Sequence, residues 1–254
     1  MPRDSPTPRN RPDVAAINRE FYGAFWPKAH LQRPDGFNTW PLISELLPGA
    51  AARLELGPGL CPRLPIAGTH FIDMSPVVVE RLGARGGIAS TGDIGSLPFG
   101  ESAFDLVCAF DVIEHAEDDR RVFHELSRVL KDDGVLVFSV PLHPDRWTDF
   151  DRLVGHARRY EPSELLAIMS DNQLRLEKSA VFGMQPANPR LVSYGMWWLE
   201  HHRSRAMFWY NWVGMPLARR FQKRLTLVNG LIDTTRVDEV VLVCRRGRRE
   251  AVRG

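Results

Sequence analysis

The residues best suited to chemistry fall in five short stretches. The stretch LELGPG, Leu54 to Gly59, sets an apolar run, the acid Glu55, and then Gly57, Pro58 and Gly59 in a row. Glycines after a strand let backbone approach a ligand closely, although an ordinary tight turn uses them too. Asp73 ends a second apolar run, where a carboxylate accepts from both hydroxyls of a ribose or simply starts a helix. Asp93, in TGDIGSLPF, is placed to accept from an adenine amino group or to make an Asx turn. The block AFDVIEHAEDD adds Asp111, Glu114 and His115. A later segment supplies His143, His156, Arg158, Arg159 and Tyr160. The histidines and Tyr160 are candidates to take a proton from a nucleophile. His115 has an alternative role as a helix cap. Arg158 and Arg159 suit a phosphate or carboxylate, or else a solvated helix approach.

The elements that position these residues are legible from periodicity. Helical spacing runs from Val14 to about Phe25 and again from Phe37 to Leu47. Strand and helix patterns then alternate. Strands are expected at 52–56, 69–73, 87–91, 104–110, 135–140, 174–182 and 239–245. Helices are expected from Ser75-Pro76 to Ala84, from Glu117 to Leu130, and from Pro162 to about Ser170. This alternation predicts an α/β protein with a parallel sheet and ligands at the strand C-terminal edge. Pro62 and Pro65 crowd the segment from Leu60 to Ala67, so only a truncated or irregular helix is expected there, with Cys61 a small filler.

The chain has 254 residues, enough for one large domain with a full core or for one domain with an appendage. A net charge of +2 gives no general attraction to nucleic acid. Cys61, Cys108 and Cys244 are too scattered for a disulfide framework or a zinc motif, and a reduced cytoplasmic setting fits them. No metal-ligand spacing stands out, so a metal-independent protein is expected. Arg far outnumbers Lys, as in GC-rich bacterial coding.

The pieces LELGPG, FIDMS, GDIGSLPF, FDLVCAFDVIEH and LSRVLKDDGVLVFSVP, in that order and spacing, resemble class I S-adenosylmethionine-dependent methyltransferases. The likeness is closest to the group that modifies small molecules such as quinones and lipids. It implies a Rossmann-like, doubly wound sheet of seven strands in the order 3-2-1-4-5-7-6. The last strand is antiparallel and helices cover both faces. It implies S-adenosylmethionine as cofactor, held by Glu55, Gly57, Pro58, Gly59, Asp73, Met74, Asp93, Ile94, Phe110, Asp111 and His115. A nicotinamide oxidoreductase is the competing reading, but its fingerprint needs glycine where Pro62 stands. A cofactor-binding protein without catalysis is the other alternative. DNA methylation is disfavoured because the fourth strand leads into DVIEH rather than an Asn/Asp-Pro-Pro-aromatic motif.

Between the last two expected strands lies a long segment with Trp197, Trp198, Trp209 and Trp212. From Gln185 to Ile232 it holds one acid, Glu200. It reads as a helical lid with Trp197 and Trp198 against the acceptor, as a basic, aromatic face on an anionic membrane, or as an oligomer contact. The expected division is a tail (1–12), N-terminal helices capping the acceptor (13–48), a cofactor-binding core (49–182), the helical insertion (183–237), a last strand (238–246) and a basic tail (247–254). The expected function is methyl transfer to a small, partly apolar acceptor at oxygen. The setting is cytoplasmic, with peripheral contact at the inner membrane face as a further possibility.

Overall fold

The structure, a computed structural model, describes residues 14–183, 194–195, 197–198 and 201–248. The expected N-terminal tail, most of the basic C-terminal tail and the first part of the insertion lie outside these residues.

An eight-stranded sheet organises the chain. Its strands are β1 (Arg53–Leu56), β2 (His70–Asp73), β3 (Ile88–Thr91), β4 (Phe104–Ala109), β5 (Leu130–Pro141), β6 (Leu174–Val181), β7 (Val228–Asn229) and β8 (Glu239–Arg246). Their order is β3-β2-β1-β4-β5-β8-β6-β7. The first five pair in parallel, and β8 runs antiparallel between β5 and β6. This is the expected order, with one strand more. The addition is the two-residue β7, which pairs Val228 with Ser179 and Asn229 with Lys178 on the edge of β6. No periodicity announces so short a pairing.

Alternation along the strands sorts the core into two faces. Val107 and Ala109 join Leu54, Leu56, Leu136 and Phe138 on one face. There they meet α4 (Asp119–Val129) and α6 (Pro162–Asp171) through Phe123, Leu126, Leu165 and Ile168. Leu106 and Cys108 join Val137 and Val241 on the other face, against Leu42 and Ile43 of α2 (Trp40–Leu46). On that side Phe71 packs on Val78 and Leu82 of α3 (Pro76–Gly83). The stripe Val122, Phe123, Leu126 and Val129 explains why α4 packs as it does. Its start is fixed by Asp118, whose carboxylate accepts from Arg121 N at 3.1 Å.

Two expectations change. The segment from Leu60 to Ala67 forms turns with no helix. Pro62 and Pro65 have no amide hydrogen, and the amides of Arg63 and Leu64 are turned onto Glu55 instead of a helical carbonyl. The second N-terminal helix is also shorter than its pattern, starting at Trp40 with Pro41 in its first turn. Unexpected is α5 (Asp149–Val154), started by a capping box between Thr148 and Asp151. α1 (Val14–Phe25) packs on it. In the insertion, α7 (Arg203–Trp209) passes through a π-turn at Tyr210–Gly214 into α8 (Met215–Phe221). No helix among the described residues is long and apolar enough to cross a membrane.

Candidate active site

The chain turns back across β1 after β3, so the carboxyl ends of β1 and β4 open a crevice between them. A cleft of about 2660 Å³ lies there. A drug-sized ligand needs roughly 300–1,000 Å³, so this space suits two ligands side by side.

At one end the loop after β1 forms a cradle. Gly57 and Gly59 have φ of 55° and 52°. A Cβ on Gly57 would fall 2.2 Å from Val112 Cγ2, and one on Gly59 would fall 2.2 Å from Trp26 Cζ2. Only glycine fits either place. Asp73 fixes this loop by accepting from Gly59 N at 3.0 Å and from Ser75 N at 2.8 Å. Each of its oxygens keeps a lone pair for a further donor. Burial pushes its carboxyl up to about 6, against the pull of those two amides. Glu55 lies beneath, accepting from Arg63 N at 2.8 Å and Leu64 N at 2.9 Å, and burial raises it to about 7. Met74, Ile94 and Asp93 line the same end, where Asp93 accepts from Gly95 N at 2.8 Å in an Asx turn. The Cys61 thiol is held up by burial and faces the Tyr210 hydroxyl. Phe110 and Pro58 complete this wall.

At the other end, Ile113–His115 form a single tight turn after β4. His115 Nδ1 lies 2.8 Å from Gly155 O, with the Asn18 amide of α1 beside it at 2.9 Å. Burial, then the neighbouring His156, lowers His115 to about 4, so it is neutral near pH 7. His156 Nδ1 lies 2.8 Å from Asp151 Oδ1. The two imidazoles meet edge to face at 4.7 Å. Glu114 is buried beside them, and burial, then Asp111, raises its carboxyl well above the usual range. Asp111 itself accepts from Ser139 Oγ at 2.5 Å.

The structure brings Glu55, Gly57, Pro58, Gly59, Asp73, Met74, Asp93, Ile94, Phe110, Asp111, His115, His156 and Trp197 to the cleft wall. It does not bring His143 or Tyr160 there: His143 Nε2 faces Thr234 O at 2.8 Å, and Tyr160 is buried in the core near Phe123. Nor do Arg158 and Arg159 offer free guanidinium groups. Arg158 donates to Asp119 Oδ1 and Glu117 O, both at 2.5 Å. Arg159 reaches the wall but forks onto both oxygens of Asp151, at 3.0 and 2.8 Å. Trp198 packs toward Trp209, away from the wall.

Several wall residues were not foreseen. Arg63 is buried, stacks 3.8 Å over the Phe37 ring, and its Nη1 has no hydrogen-bond partner. Trp26, Tyr22 and Asn18 come from the N-terminal segment, and Glu239 from the start of β8. Asp151 alone left a readable trace, the Thr-x-x-Asp spacing of its capping box.

Comparison with known proteins agrees with this geometry. The family described as "Methyltransferase domain" matches residues 55–138. A probable S-adenosylmethionine-dependent methyltransferase of Mycobacterium tuberculosis is 32% identical over 83 residues, 31% of this chain and 30% of that protein. The malonyl-[acyl-carrier protein] O-methyltransferase of Legionella pneumophila is 30% identical over 129 residues, 46% of this chain and 44% of that one. The chain thus spans less than half the length of either relative. A solved S-adenosylmethionine-dependent methyltransferase of Thermotoga maritima, described as a possible histamine N-methyltransferase, shares the fold. It has a TM-score of 0.55 at 16% identity, with 91% of each chain covered. The core of this chain is therefore a class I S-adenosylmethionine-dependent methyltransferase domain. S-adenosylmethionine is the cofactor of that class, and the glycine cradle and the spare lone pairs of Asp73 fit it.

Proposed function

We propose that the whole chain transfers a methyl group from S-adenosylmethionine to an oxygen of a small, partly apolar acceptor. In this reading Gly57, Pro58 and Gly59 receive the methionine part, Asp73 and Met74 the ribose, Asp93 and Ile94 the adenine. Phe110, Asp111 and His115 lie beside the methyl group. Bound there, the cofactor supplies an electrophilic methyl on a sulfonium; the protein's task is alignment and handling of the acceptor proton. The observation that carries the reading is the pair of imidazoles at the far end of the same cleft as the glycine cradle. Neutral imidazole suits an acceptor that must lose a proton, as a hydroxyl does. The Legionella relative, named for O-methylation, is in keeping with an oxygen target. Arg63, with its unpartnered Nη1 over Phe37, is the cation we assign to an acidic group on the acceptor, in place of Arg158 and Arg159.

Calorimetric titration with S-adenosylhomocysteine tests the cofactor reading, and absence of binding refutes it. A panel of hydroxy- and carboxy-bearing metabolites assayed with labelled cofactor then separates an enzyme from a silent binding protein. Mass spectrometry of the product distinguishes oxygen from nitrogen or carbon as target.

A second reading has its own observation. In the insertion, Met207, Asn211 and Met215 turn inward, whereas Phe208, Trp209 and Trp212 are 58, 50 and 63% exposed and lie off the cleft wall. Arg219 and Arg220 sit in the last turn of α8. We propose that this outer face rests on an anionic membrane while Tyr210, Leu217 and Trp197 close the cleft below.

A further inference from the structure

Glu114 and His115 share one tight turn, and His156 arrives from a loop 41 residues later. One potential ligand atom from each lies within 4.8 Å of the others. The way they are held is informative. His156 Nδ1 is 2.8 Å from a carboxylate oxygen of Asp151, so the proton sits on Nδ1 and the lone pair on Nε2. That Nε2 faces Glu114 Oε1 at 3.7 Å, too far for a hydrogen bond. His115 Nδ1 lies 2.8 Å from Gly155 O and 2.9 Å from the Asn18 amide nitrogen; in the tautomer that donates to Gly155 O, the lone pair of that ring is on its own Nε2. Glu114 Oε2 is fully buried and has no hydrogen-bond partner. The backbone holds the two segments in register, since Ala157 N donates to Glu114 O at 2.7 Å.

Left as it stands, this arrangement is unfavourable. Burial already favours the protonated form of Glu114, and its ionised form would leave Oε2 stripped of water with no donor in return. A cation removes the conflict. We propose that Glu114, His115 and His156 form a binding site for a divalent cation of the zinc type. Two imidazole nitrogens and one carboxylate oxygen make a borderline ligand set, suited to Zn²⁺, Co²⁺ or Fe²⁺ rather than to Mg²⁺ or Ca²⁺. Three protein ligands leave a position open, as in catalytic rather than structural sites. Bonds of about 2.0–2.2 Å put ligand atoms roughly 3.3–3.5 Å apart, so the separations seen, within 4.8 Å, need a closing of up to about 1.5 Å. The outer support is also present. Asp151 and Gly155 O orient the rings, and Arg159 forks onto Asp151 from behind. The proposal departs from the expectation of a metal-independent protein.

The catalytic consequence rests on the methyltransferase reading; cation binding does not. The three side chains line the cleft, so an acceptor hydroxyl oxygen would be able to take the remaining position. With both ring lone pairs taken up by the cation, the rings would not serve as base; the acceptor O–H bond would break with its proton passing to water, eased by the neighbouring positive charge. The freed oxygen pair forms the bond to the methyl carbon, while the methyl–sulfur bond breaks with its electrons going to sulfur.

The test uses the full chain, stripped of metal with a chelator. Titration with Co²⁺ is followed by visible absorption, and titration with Zn²⁺ by calorimetry, near pH 7. One equivalent is expected, with a spectrum of imidazole and oxygen ligation. Glu114→Gln and His156→Gln should each weaken binding at least tenfold. Asp151→Asn should weaken it about 10–100-fold, through loss of ring orientation. A His201→Gln/His202→Gln double variant should bind as the unaltered chain does, because those rings lie on the insertion surface. S-adenosylhomocysteine titrated into each variant reports whether the cleft is intact. No stoichiometric Co²⁺ binding by the unaltered chain overturns the proposal. Equal binding by a Glu114→Gln variant that still takes S-adenosylhomocysteine overturns it as well. Stoichiometric Co²⁺ without any S-adenosylhomocysteine binding would instead refute the methyltransferase reading and leave the cation site standing.

Discussion

Asp73 shows how one side chain can serve structure and ligand together. Its two oxygens tie Gly59 and Ser75, which sets the loop, and still carry lone pairs outward. Replacing it with Asn swaps one acceptor for a donor. Charged hydrogen bonds contribute about 1.5–3 kcal/mol, so Asp73→Asn should weaken S-adenosylhomocysteine roughly 10–100-fold by calorimetry. Burial raises this carboxyl to about 6, so affinity should also fall as pH drops through that value and the acceptor takes a proton. The same shift acts on stability in the opposite sense. Between about 3.8 and 6 for Asp73, and between 4.5 and about 7 for Glu55, the folded chain holds protons that the unfolded chain has lost. These two groups therefore contribute stability at the acid end that is lost as pH rises through each window. Urea midpoints measured from pH 5 to pH 7.5 should fall less steeply in Glu55→Gln than in the unaltered chain. Equal slopes would contradict the burial argument.

At the scale of elements, the cradle depends on the N-terminal segment lying over it. Trp26 stacks on Tyr22 and presses against Gly59, and Tyr22 meets His115 edge to face. One short stretch of chain thus touches both ends of the cleft. A methyl group on Gly59 would meet the indole and force a left-handed backbone on a residue with Cβ. Gly59→Ala should therefore cost about 1–3 kcal/mol in urea unfolding and weaken S-adenosylhomocysteine as well. Gly49→Ala, where a Cβ meets nothing, serves as the control. The contrast shows what sequence can carry. Gly57, Gly59, Asp73 and Asp93 are legible because each sits at a fixed offset from a strand whose apolar run is unmistakable. Trp26 is not: the N-terminal helices were expected to cap the site, but no local pattern says which of their side chains meets the cradle. The missing helix after Gly59 has the same lesson in reverse. Its prolines were visible, but the capture of the Arg63 and Leu64 amides by Glu55 is a tertiary event.

For the whole molecule, alternating periods carried the α/β class and the likeness to class I methyltransferases implied the sheet order, but the convergence at the far end of the cleft lay in neither. Glu114 and His115 come from the turn after β4, Asp151 from α5 and His156 from the loop that follows it, and Arg158 and Arg159 turn out to brace these segments rather than face solvent. Spacing in one dimension could not separate these roles. The insertion is the last element whose purpose depends on the whole shape. Its inner side lines the cleft with Tyr210, Leu217 and Phe221, and its outer side shows Phe208, Trp209 and Trp212. A lid that only covered the cleft would gain nothing from aromatic rings pointing away from it. If the outer side meets lipid, the full chain should co-sediment with vesicles containing anionic phosphatidylglycerol. Binding should weaken from 50 to 500 mM salt as the arginines are screened, since the Debye length shrinks from roughly 14 Å to about 4 Å. A Trp209→Ser/Trp212→Ser variant should lose most of the binding at either salt concentration while S-adenosylhomocysteine affinity holds. Absence of sedimentation at 50 mM salt, or binding untouched by the double variant, would leave the insertion as a lid alone.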